Sequence, residues 1–204
     1  MASTIILANW IASASDGLFS QLSDLAPWEI TSRADAIVRQ ALPVLAHYTI
    51  SDGVAIHRKA TVEAGAVIKA PTIIGADCFV AAGAYLRGGV FLDEGCTIGP
   101  SCEVKSSFML AGSKIAHLSF VGDSIIGAGA NIEAAAVIAN FRNEREDKRI
   151  RIVLDGETLD TGVEKFGALV GDGARNGAGA VIAPGALIRP GAVVPRLALI
   201  DQSP

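Results

Sequence analysis

Residues 68–104 read IKAPTIIGADCFVAAGAYLRGGVFLDEGCTIGPSCEV. Every sixth position is aliphatic: Ile68, Ile74, Val80, Leu86, Leu92, Ile98 and Val104. The row extends back to Ile56 and Val62 and forward to Leu110, ten hits in one frame. It then slips, resumes at Phe120, Ile126, Ile132 and Ile138, and returns at Val170, Ile182, Ile188 and Val194, with Asn176 breaking the late row. A period of six is neither the 3.6-residue spacing of a helix nor the alternation of an isolated strand. It marks short strands wound about a shared core, each coil burying its apolar face against the coils on either side.

The intervening positions agree. Glycine follows the aliphatic residue at Gly75, Gly99, Gly127 and Gly171, and recurs three residues after it at Gly65, Gly83, Gly89, Gly95, Gly129, Gly173, Gly185 and Gly191. Both sets are read as corners where glycine takes backbone angles closed to other residues. Four residues after the aliphatic stand small side chains: Ala60, Ala66, Ala84, Ala130, Ala174, Ala186 and Ala192. Cys78, Cys96 and Cys102 occupy this same small inward position. They read as buried thiols acting as small hydrophobes. The fold class is all-β: a parallel β-helix over residues 51–204, preceded by a helical segment over 1–50 and interrupted by an inserted loop and hairpin at 140–166.

Composition limits the functions available. The chain has 204 residues, half of them hydrophobic, and a net charge of −4. That suits one cored domain rather than a disordered chain. An acidic protein with 5% aromatic residues is a poor match for nucleic acid. No apolar run approaches the length that spans a bilayer. Residues 4–14 (TIILANWIASA) lack a preceding basic residue, the first being Arg33, so they read as a buried strand or helix rather than a secretion signal. These features predict a cytoplasmic protein with no membrane partner.

Two segments stand outside the repeat. Residues 26–46 (APWEITSRADAIVRQALPVLA) predict a helix capped by Ser32, with Ala36, Ile37, Gln40 and Ala41 as its inner stripe, Pro43 near its end and Trp28 as a core anchor. Residues 140–166 alternate Arg142, Arg145, Lys148, Arg149 and Arg151 with Glu144, Glu146 and Asp147, then carry Asp155-Gly156, a hairpin-turn signal. They predict a mobile loop followed by a short hairpin.

Chemistry has few candidates. His47 and His57 bracket the entry to the repeat and read as structural or surface residues. His117 lies between Leu110 and Phe120, where the frame slips, and so on an irregular turn. The three histidines are ten and sixty residues apart, a spacing that makes no metal ligand set, and no metal is expected.

Residues 85–142, with AHLSFVGDS at 116–124, EVKSS before it and IAN after it, resemble the acetyltransferase domain of bifunctional N-acetylglucosamine-1-phosphate uridyltransferase/glucosamine-1-phosphate acetyltransferases. The archaeal sugar-1-phosphate nucleotidylyltransferase/acetyltransferases look most similar, sharing the longer charged loop that ends near Asp160-Thr161-Gly162 and the following FGALVGDG. The resemblance implies a left-handed β-helix and a homotrimer with active sites between subunits. It implies acetyl transfer from acetyl-CoA, as cosubstrate, to the amine of an amino-sugar 1-phosphate. His117 matches the general base, a role suited to imidazole near neutral pH. Glu103 matches the acid that orients the base and engages the amine. Arg87 and Lys105 match the phosphate-binding pair, Asn131 a sugar-contacting amide, and Asn140 a residue that contacts the acetyl group. Ala134 and Ala178 fall where the acyl donor's pantetheine arm and its surroundings are expected.

Five features depart from the family pattern. Phe120 replaces a tyrosine and Glu133 replaces a glycine, while Ala178 replaces a serine near the donor. The basic tail that helps hold coenzyme A does not follow Arg196, and the nucleotidylyltransferase half is missing. They support two alternatives: a non-catalytic trimeric partner of a separate sugar nucleotidylyltransferase, or an acyltransferase with a longer acyl donor.

Overall fold

The computed structural model describes residues 5–15, 17–22 and 24–204. From Val54 onward the chain winds as a parallel β-helix with three walls. Wall A is a seven-stranded parallel sheet whose inward residues are Val62, Val80, Ile98, Ile115, Ile132, Asn176 and Val194. Wall B stacks Ile68, Leu86, Val104, Val121, Ile138, Ile182 and Ile200. Wall C stacks Ile56, Ile74, Leu92, Met109, Ile126, Val170 and Ile188. Strands Tyr85–Leu92 and Glu103–Met109 run round the corner from wall B to wall C. The inward side chains and the three buried cysteines form one continuous core.

This corrects the frame expected after Val104. The core row steps five residues to Met109, six to Ile115, six to Val121 and five to Ile126. Leu110 and Phe120 are therefore not in it. The shortening has a visible origin. Arg87 pairs with Lys105 and Val90 with Ser107, so Gly88-Gly89 oppose the single residue Ser106 at the B–C corner. The glycines also divide by cause. Gly83 and Gly95 have positive φ, as corners require, whereas Gly99 does not. A Cβ on Gly99 would overlap the carbonyl oxygen of Ala116 in the next coil, so close approach of backbones selects glycine there.

A second core lies outside wall C. Ile73, Phe91, Phe108, Ile125, Leu169 and Leu187 point outward from that wall and pack against the N-terminal segment and the insert. In the N-terminal segment Leu7–Asn9, Ala12–Ser15 and Phe19–Gln21 form short 3-10 helices, and Ile5, Leu7, Trp10, Ile11 and Phe19 are buried. The Phe19 ring meets Phe108 edge-on at 5.6 Å. Asp172 fastens this segment, accepting hydrogen bonds from Ala12 N at 2.8 Å and Ala128 N at 2.7 Å.

The expected single helix is two, α1 (Pro27–Ser32) and α2 (Ala34–Ala41), broken at Arg33. Ser32 ends α1 rather than capping a helix, its hydroxyl donating back to Glu29 O at 3.0 Å. Ala34, Ile37 and Val38 are the buried face of α2, while Ala36 and Gln40 are exposed. Trp28 packs edge-on to Phe166 at 6.1 Å.

The insert leaves the β-helix after Ile138 at the B–C corner and rejoins wall C at Ala168. Its hairpin pairs Arg151–Leu154 with Glu157–Asp160 across Asp155-Gly156, both at positive φ. The charged loop is fastened rather than free. The Arg142 side chain is 4% exposed and donates to Asp201 at 2.7 and 3.0 Å and to Pro184 O at 2.9 Å. Asp147 accepts from Arg149 and Arg151.

Candidate active site

The corner between walls A and B carries three of the expected residues in one column. Leu118 N donates to Pro100 O, Ala135 N to His117 O, Gly179 N to Ala134 O, and Leu197 N to Ala178 O. His117, Ala134 and Ala178 thus stack on successive coils, about 4.8 Å apart. His117 is exposed on an ordinary corner within the regular step from Ile115 to Val121, not on a frame slip. Leu118, next to it, is at positive φ and 68% exposed.

Wall B carries the polar set on its outer face. Glu103 stands between Tyr85 and Phe120, and Lys105 between Arg87 and Gly122. The Glu103 carboxylate accepts a hydrogen bond from Arg87 Nε at 2.8 Å, and Arg87 Nη2 forms an ion pair with the same oxygen at 2.7 Å. It is engaged by Arg87 rather than by His117, whose imidazole has no side-chain hydrogen bond among the described residues. Arg87 also lies 5.8 Å from the centre of the Tyr85 ring, a cation–π contact. Lys105 Nζ pairs with Asp123 Oδ2 at 2.7 Å, and Asn140 Nδ2 donates to the same oxygen. Phe120 lies over Gly122 beside the Asn140 amide. A Cβ on Gly122 would sit 2.7 Å from Phe120 Cζ and 2.8 Å from the Asn140 amide carbon, so only glycine leaves room for both.

Asn131 is apart from this group. It points outward from wall A between Lys114 and Arg175. It borders a cavity of about 210 Å³ with Glu133, Arg175 and Arg196. Walls A and B meet at a convex edge, so Asn131 and the Glu103 group face away from each other within one chain. Glu133 is compensated: Arg196 donates to it at 3.1 and 3.2 Å and Ala178 N at 2.9 Å. The guanidinium first, then that N–H, holds the carboxyl below its usual range.

Sequence reading missed Asp123, which is 5% exposed and central to the wall B network. Its signal was its place one residue after Gly122 within AHLSFVGDS. Among the described residues no three His, Cys, Asp or Glu side chains converge as a metal site, and no helix is long and apolar enough to cross a membrane.

Residues 80–162 match the family model described as GMPPB C-terminal domain. A bifunctional sugar-1-phosphate nucleotidylyltransferase/acetyltransferase from Sulfurisphaera tokodaii is 41% identical over 73 residues, 36% of this chain and 18% of that protein. A bifunctional protein GlmU from Methanococcus maripaludis is also 41% identical over 73 residues, 36% of this chain and 17% of that protein. The family resemblance holds. The chain matches less than a fifth of the length of these relatives. Among solved structures, the acetyltransferase domain of PglB from Neisseria gonorrhoeae aligns over 85% of this chain and 71% of that one, at 22% identity and a TM-score of 0.41. The family match spans every candidate residue except Ala178.

Proposed function

We propose that this chain is a hexapeptide-repeat N-acetyltransferase that moves the acetyl group of acetyl-CoA to the amine of an amino-sugar 1-phosphate. The observation that carries the reading is the corner column of His117, Ala134 and Ala178 beside the Arg87–Glu103 and Lys105–Asp123–Asn140 groups of wall B. In this reading the pantetheine arm lies along the column and ends at His117. Arg87 and Lys105 meet the phosphate, Glu103 engages the amine, and Asn140 contacts the acetyl group. His117 takes the proton from the amine as nitrogen bonds to the thioester carbonyl carbon. The carbon–sulfur bond then breaks and coenzyme A leaves as its thiol. Proximity of the two substrates lowers the barrier because the attack becomes effectively unimolecular.

Asn131 fits a site shared between copies of the chain, as in the homotrimer that the family resemblance implies. It faces away from wall B, so a ligand touching Asn131 and Glu103 together needs two copies of the chain. Leu118 and Leu197 are exposed on the A–B corner three coils apart, with exposed Val193 on wall A and Leu199 on wall B flanking Leu197, and such contacts would cover them.

A second reading rests on Glu133. It occupies the Ala178 N–H and adds a carboxylate where an anionic donor would lie, which fits a non-catalytic partner of a nucleotidylyltransferase. Coenzyme A release from acetyl-CoA separates the two. The enzyme reading predicts turnover with glucosamine- or galactosamine-1-phosphate and none with glucose-1-phosphate. Absence of turnover, with acetyl-CoA also leaving the melting temperature unmoved, would contradict it.

A further inference from the structure

We infer that Asp123 is a positioning residue of this site, joining the side chain that meets the acceptor to the side chain that meets the acyl group. The inference rests on the acetyltransferase reading above. The geometry is specific. One oxygen, Asp123 Oδ2, takes the Lys105 ammonium at 2.7 Å and the Asn140 amide N–H together. The Asp123 carboxylate is 7% exposed and the Lys105 side chain 16%, so water screens the pair little.

The pairing changes what each partner offers. Lys105 is not a free cation. Its charge is compensated, and its remaining N–H groups are aimed, one of them reaching Ser106 Oγ at 3.4 Å. Asn140 has its amide nitrogen held, which turns its carbonyl oxygen and its second N–H to a fixed side. No other side-chain hydrogen bond among the described residues holds that amide. Lys105 and Asn140 come from coils separated by the Asp123 coil, so this carboxylate is the bridge between them.

The backbone is built for this residue. Asp123 sits at a corner with φ 45°, a conformation that Asp and Asn tolerate better than other side-chained residues. Its N–H donates to Lys105 O at 2.8 Å, and its carbonyl accepts from Gly167 N at 2.9 Å where the insert returns. The same corner one coil earlier is Ser106, at φ 46°. The corner therefore accepts serine, and Asp123→Asn and Asp123→Ser are both compatible with the backbone.

The test compares wild type, Asp123→Asn and Asp123→Ser for coenzyme A release with glucosamine-1-phosphate, and for binding of inorganic phosphate at two salt concentrations. A carboxylate that positions predicts kcat lower by about tenfold or more in both variants, the cost of misplacing reacting groups. KM for the sugar phosphate stays level or falls, because Lys105 has lost its counter-charge. Phosphate binds several-fold tighter at low salt, and its salt dependence steepens. A merely structural residue would lower the melting temperature and the active fraction together, leaving the phosphate affinity and its salt dependence unmoved. That result overturns the inference, as does a raised KM at unchanged kcat. Wild-type protein that releases no coenzyme A defeats the acetyltransferase reading instead. The phosphate titration then decides whether Asp123 compensates Lys105, and unchanged affinity in Asp123→Asn overturns it.

Discussion

Asn176→Val tests the packing of the β-helix most sharply. Asn176 points inward from wall A in the row otherwise filled by Val62, Val80, Ile98, Ile115, Ile132 and Val194. It is 1% exposed, and among the described residues neither its amide oxygen nor its amide nitrogen has a hydrogen-bond partner. Its register neighbours are Ile132 and Val194, so the slot is lined by aliphatic groups. A buried polar group left unpaired costs about 1–3 kcal/mol. Valine removes both unpaired atoms and keeps the β-branched shape used elsewhere in the row. Allowing for imperfect fit, the substitution stabilises by about 2 kcal/mol. For a domain of this size that raises Tm by roughly 4–8 °C. Thermal unfolding followed by circular dichroism, checked by urea titration, reads the change directly. An unchanged or lowered Tm would refute the reasoning, because it would mean the amide is satisfied in the folded protein.

Three further outcomes follow from the same structure. Gly99→Ala drives a Cβ into the Ala116 carbonyl, a backbone clash that no rotamer relieves, and should cost at least about 3 kcal/mol in urea unfolding. Asp201→Asn should cost about 2 kcal/mol at neutral pH, because it strips the nearly buried Arg142 of its main partner and the carboxylate itself is partly exposed. The Arg142 guanidinium holds the Asp201 carboxyl well below the usual carboxylate range. This pair therefore stabilises fully above about pH 4, where an unfolded-chain aspartate is ionised, and the contribution is lost as pH falls through the depressed folded value. Acid unfolding of Asp201→Asn should show a shallower slope in that window. Glu133→Gly frees the Ala178 N–H and Arg196, and should tighten acetyl-CoA binding several-fold by calorimetry.

The repeat was legible because each coil touches only its neighbours, so its rules repeat at a fixed spacing in the chain. The same logic put all three cysteines in the core. The second core was harder to see. Its sign is the apolar doublets Ile73-Ile74, Phe91-Leu92, Phe108-Met109, Ile125-Ile126 and Leu169-Val170, whose first members face outward under the N-terminal segment. The frame slip was misread because Leu110 and Phe120 are apolar and lie one residue from Met109 and Val121, which face the core. At the candidate site, residue types and spacing were legible through the family pattern, but their pairing was not. The Lys105–Asp123–Asn140 contact, the Glu133–Arg196 pair and the Arg142–Asp201 bridge join residues 17 to 63 positions apart. Such contacts depend on which coil corner each side chain occupies, and no local pattern encodes that.

Single-turnover transfer from acetyl-CoA to glucosamine-1-phosphate, in wild type and His117→Ala, tests the central claim most directly. The account predicts acetylated sugar phosphate with wild type and a rate about 10²–10⁴-fold lower with His117→Ala, the usual contribution of a positioned general base. Equal rates in the two proteins would contradict it.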